Sequence, residues 1–144
     1  FKYFEATAGK QTKLKIGNKA SGEGARIVTV IPVESESQLR TIGWVENNRR
    51  KVDVLSKGQL AYVYVPNTGN PGYTYFNRYY FAQQDKKGAV IDERNNGGGS
   101  AADYMVDIMN RQLHGYFNSR ANDHRPFLTP NAGIFGPKVM IVNE

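Results

Sequence analysis

One stretch of the sequence combines residue types and spacing that point to chemistry: residues 88–110, GAVIDERNNGGGSAADYMVDIMN. A short apolar run passes through two asparagines into Gly97, Gly98 and Gly99, and then into helical periodicity. Consecutive glycines lose conformational entropy on folding and contribute no packing, so their use must lie in bare backbone. Ser100 with Asp103 matches a capping box, which predicts that a helix starts there. N–H groups at a helix start have no intrahelical partner and lie at the positive end of the dipole. Together these features make an anion site out of backbone.

Three occupants fit such a site. A phosphate is one, since Gly97 to Ala102 formally satisfies G-x-G-x-x-A. Against it, ERNN separates the glycines from the strand, and no acidic residue on a second strand follows about twenty residues later. A P-loop is excluded because no Lys-Ser or Lys-Thr follows. The oxyanion of an acyl-transfer intermediate is the second. The third reading is no occupant, a tight strand-to-helix turn.

The remaining chemistry-bearing residues are sparse. The 144-residue chain has no cysteine, which removes disulfides, thiol nucleophiles and thiolate metal sites from this segment. His114 and His124 stand ten residues apart without a carboxylate pattern, so no zinc site and no cofactor are expected. The net charge is +6, yet its lysines and arginines are scattered, and the densest cluster, Asn48-Arg49-Arg50-Lys51, falls near a helix end. Nine tyrosines and seven phenylalanines with that charge leave an alternative: a noncatalytic module that binds single-stranded nucleic acid or peptide. No run approaches the ~20 apolar residues of a membrane span. Phe1 is not an initiator Met, and the chain reads as a piece cut from something longer.

Three regions must position these residues. In 1–33, FKYFEATAG reads as a helix end closed by Gly9, followed by strands KQTKLKI and ARIVTVIPV around the loop NKASGEG. Residues 34–57 read as a helical connector, with Leu39, Ile42, Val45 and Arg49 at helical spacing. Trp44 reads as its packing anchor, and Gly43 weakens the pattern. In 58–144 the rhythm is strand QLAYVYV, helix YTYFNRYYFAQQ, strand KGAVIDE, helix SAADYMVDIMNRQLHG and strand KVMIVNE. That alternation implies an α/β class with parallel βαβ units. Residues 115–137 show no periodicity and read as a lid or substrate-wall loop.

IDERNNGGGSAAD followed by GPKVMIVNE resembles the tricorn protease family, within the tail-specific serine peptidases. The resemblance extends over essentially the whole chain: FEATAGKQTKLKI is similar to the last helix and strand of a PDZ-like domain. It implies a βαβαβ part of a ClpP/crotonase-like catalytic domain over 58–144, preceded by the C-terminal part of a PDZ-like module over 1–33. By resemblance, Gly99 supplies an oxyanion-hole N–H, Gly98 shapes the turn, and Gly97 lies on the substrate side. Asp92 and Arg94 would be supports at the strand end. The nucleophilic serine is expected about four residues beyond Glu144, and the general base also lies outside the chain, so these residues alone should be inactive. The family places an acidic residue that favours basic substrates where this sequence has Phe117, which shifts the expectation to apolar substrates. The implied partners are a peptide or unfolded-protein substrate, the rest of a parent chain and further copies in a homo-oligomer, with no membrane. The implied compartment is the cytoplasm, or the periplasm or exterior if a signal region lies elsewhere.

Overall fold

The computed structural model describes residues 4–118, 120–121 and 126–143. These fall into two compact units, residues 1–43 and 44–144. In the first, β1 (Thr12–Ile16) and β2 (Arg26–Val30) form an antiparallel hairpin with Leu14 opposite Val28 and Thr12 opposite Val30. Those four side chains are half-buried on one face while Lys13, Lys15 and Thr29 face solvent, the period-two pattern of a one-sided sheet. The helix expected over FKYFEATAG is not formed in its described part. Residues 4–9 are turns, and Gly9, at φ +73°, closes them by donating its N–H to Pro32 O at 2.9 Å.

Helix α1 (Ser37–Leu55) forms within the stretch predicted to be helical, and the boundary between the units falls inside it, after Gly43. Its 19 residues run through Gly43 unbroken. Val45 is buried, whereas Leu39 is exposed and Trp44 is 39% exposed. Trp44 nonetheless packs in a T-shaped pair with Tyr64, ring centroids 5.0 Å apart.

The second unit contains a parallel sheet in the order β3-β4-β7, built from β3 (Leu60–Tyr64), β4 (Gly88–Asp92) and β7 (Lys138–Ile141). Helices α2 (Asn70–Phe81) and α3 (Ala102–Met109) occur between strands, as the alternating rhythm implies. Strand β4 is central, so it reads as a continuous apolar run, and Ala89 and Ile91 are fully buried. Helix α2 delivers Phe76 and Tyr80, stacked at 4.9 Å, into the same core. The buried Gln83 side chain closes the end of α2 onto the sheet: Oε1 accepts from Tyr62 N–H and Nε2 donates to Tyr62 O.

Three local expectations change. Helix α2 begins at Asn70 because Pro71 suits a first turn, where its missing N–H costs nothing. Helix α3 ends at Met109, well before Gly115, and its N-cap is Ala101 with no side-chain cap bond. The Ser100 capping box is therefore not formed. A backbone bond from Ala101 N–H to Thr68 O at 2.7 Å takes its place. Residues 115–137 are also not structureless: β5 (Gly115–Phe117) and β6 (Phe127–Thr129) pair antiparallel. Strands of three residues are too short to register as a period.

Candidate functional site: the glycine loop after strand β4

The loop grows from a buried charge. Asp92, the last residue of β4, has no exposed surface. Its Oδ1 accepts from Arg94 Nε at 2.9 Å and from Arg94 N–H at 3.2 Å. Its Oδ2 accepts from Arg94 Nη2 and from the Tyr62 hydroxyl, each at 2.6 Å. Burial alone would raise the Asp92 pKa, but the hydrogen bonds from Arg94 and Tyr62 outweigh it and hold the carboxyl below its usual value. Tyr62 is pushed the other way, by burial and then by Asp92, so its hydroxyl stays protonated and donating. Asn48 of α1 donates to that same hydroxyl at 3.2 Å. Arg94 completes the support by lying 5.2 Å over the Trp44 ring, a cation–π contact.

Past Arg94 the chain turns sharply. Asn95 takes φ +60°, and Asn96 bonds three ways, with its N–H to Glu93 O, its Nδ2 to Val65 O and its Oδ1 from Gly98 N–H. The glycines then run beside the segment leaving β3. Gly97 N–H donates to Pro66 O at 3.0 Å, and Gly98 O accepts from Thr68 N–H at 2.9 Å. Gly98 and Gly99 both have positive φ, +76° and +140°. At Gly99 a Cβ would lie 2.4 Å from Thr68 C and Gly69 N, so no other residue fits there. The facing segment is itself fixed by Asn67, whose Oδ1 accepts from Gly69 N–H and Gly72 N–H at the start of α2.

The glycine N–H groups consequently have different fates. Those of Gly97 and Gly98 are spent within the loop, whereas Gly99 N–H and Ser100 N–H have no acceptor among the described residues. Both residues are exposed. Two adjacent free backbone donors, held by a closely packed turn just before α3, can receive a negatively charged oxygen.

The other sequence-predicted residues lie elsewhere. Phe117 is on β5, opposite Phe127, with its side chain 67% exposed. His114 donates its backbone N–H to Thr129 O beside the same hairpin. His124 lies outside the described residues. Among the described residues no three His, Cys, Asp or Glu side chains gather as a metal site. Sequence reasoning did not find Tyr62, Asn48, Asn67 or Asn143 at the loop. Tyr62 carried a weak signal, since it stands two residues before the end of β3 as a polar aromatic in a buried strand.

No family model matches the chain. Individual proteins do. Tricorn protease homolog 1 of Streptomyces coelicolor is 33% identical over 138 residues, covering 96% of this chain and 13% of that protein. The tricorn proteases of Thermoplasma volcanium and Thermoplasma acidophilum are 29% and 27% identical, covering 98% and 100% of this chain. A crystal structure of the tricorn protease superposes with a TM-score of 0.88 at 26% identity, over 100% of this chain and 14% of that one. The chain thus spans only about one seventh of the length of the proteins it matches. Throughout its own length, in sequence and in fold, the chain is similar to tricorn proteases.

Proposed function

We propose that the glycine loop is the oxyanion hole of a serine peptidase that hydrolyses peptides through an acyl-enzyme. In this reading residues 58–144 begin a ClpP/crotonase-like catalytic domain, residues 34–57 connect it, and residues 1–33 end a PDZ-like module. The observation that carries it is the free, exposed Gly99 N–H beside spent donors at Gly97 and Gly98. As a serine attacks the scissile carbonyl, negative charge grows on the carbonyl oxygen. Gly99 N–H donates to that oxygen, with Ser100 N–H adjacent, and neither donor must first give up an acceptor among the described residues. A donor already aimed at the developing charge favours the transition state over the ground state.

The Asp92–Arg94–Tyr62 cluster keeps the strand end rigid, so the donor does not drift as charge develops. Such a hole supplies electrostatics only. The nucleophile and its base belong to residues after Glu144 and elsewhere in the full-length protein. The 144-residue chain alone is expected to turn over no peptide. In the full-length protein, Gly99→Ala keeps the N–H but forces the turn away from Thr68, and this misplacement is expected to lower kcat about 10²-fold with a smaller change in KM. Because the added methyl also meets the Thr68 backbone, a melting curve accompanies the assay. A folded variant with undiminished kcat, or turnover by the 144-residue chain itself, contradicts the reading.

A further inference from the structure

The start of the glycine loop is tied to the neighbouring strand by a reciprocal amide pair that the chemistry above leaves unused. Asn95 N–H donates to Asn143 Oδ1 at 2.7 Å, and Asn143 Nδ2 donates to Asn95 Oδ1 at 3.1 Å. The backbone ladder between the two strands ends just before this pair, with Glu93 N–H to Ile141 O at 2.9 Å. The two asparagines therefore carry the strand register one step beyond the sheet, by side chain. Asn95 does so from φ +60°, a conformation asparagine tolerates better than most residues. Downstream, Asn96 and Gly97 are bonded to Val65 and Pro66, so the path from Asn95 to Gly99 has little freedom.

We infer that Asn95 and Asn143 are a positioning pair for the reaction. They fix the distance between the Gly99 donor and the residues that follow β7, where the reading above puts the nucleophile. The inference rests on that reading. Neither side chain touches the substrate. Their task is geometric, because acyl transfer needs the attacking oxygen and the oxyanion donors held around one carbonyl, and small misplacements cost rate steeply. A plain structural tie would act on stability instead. This pair is exposed and adds little there.

The test uses the full-length protein and a fluorogenic peptide. Asn143→Ala is expected to lower kcat by about 10–10²-fold while KM stays within about twofold and the melting temperature is unchanged. Asn143→Asp still accepts from Asn95 N–H, and with the Asn95 amide turned so that its Nδ2 donates to the second carboxylate oxygen it restores most of that kcat. The double variant Asn95→Ala, Asn143→Ala loses no more than the worse single variant, as expected of two groups acting as one unit. The inference is overturned if Asn143→Ala keeps wild-type kcat in an active enzyme. It is equally overturned if the loss appears as a lower melting temperature and raised KM without rescue by Asn143→Asp. A wild-type protein without peptidase activity overturns the functional reading and this inference together, so the two failures are distinguishable.

Discussion

Asp92 keeps its charge in a site with no exposed surface because Arg94 gives it three hydrogen bonds and Tyr62 a fourth. Its folded-state pKa lies below its unfolded one, so its contribution to stability is fully present above the ordinary carboxylate range. That contribution is lost as the pH falls through the depressed value, when the folded state must also take up the proton. Melting temperatures of Asp92→Asn should therefore fall less steeply than wild type on the acid side, and parallel acid limbs would remove this role. Tyr62→Phe takes one donor from the carboxylate and the acceptor from Asn48, and should cost about 1–3 kcal/mol in urea unfolding. The glycines were legible in the sequence because their cost demanded a use. Asn143 was not, because its partner Asn95 lies 48 residues away, and only the parallel pairing of β4 with β7 brings them together.

Helix α1 illustrates what local pattern can and cannot settle. Its extent followed from sequence despite Gly43, because the turns on either side are good helix, with Arg40–Glu36 and Arg49–Glu46 pairs. Gly43 is exposed and a Cβ there would meet nothing within 4 Å. Gly43→Ala should thus stabilise the protein by about 0.5–1 kcal/mol through propensity alone, measured by urea unfolding. No gain in that measurement would contradict this reading of Gly43. The start of α3 departs from the local pattern for a tertiary reason: Thr68 O captures the Ala101 N–H, so the chain enters the helix later and Ser100 does not cap it. The β5–β6 hairpin escaped notice because three-residue strands show no alternation, and their pairing depends on a partner across a loop.

At the scale of the whole chain, the parallel sheet and its helices were readable because buried strands such as Ala61–Val63 and Ala89–Ile91 announce themselves as apolar runs. The edge of that sheet was not. On β7 and the residue after it, Val139 and Val142 are 57% and 65% exposed, with Met140 and Ile141 also open. An apolar, unprotected edge strand favours pairing with another chain. The 144-residue chain should self-associate with rising concentration in sedimentation velocity, and Val142→Lys should weaken that association. A monomer at all concentrations would contradict it. Whether Gly99 N–H binds the oxyanion is decided by reacting the full-length protein with a fluorophosphonate and determining the structure of the adduct. The phosphonyl oxygen is expected about 3 Å from the Gly99 nitrogen. An adduct whose oxygen is held by other donors, with Gly99 N–H turned away, would contradict it.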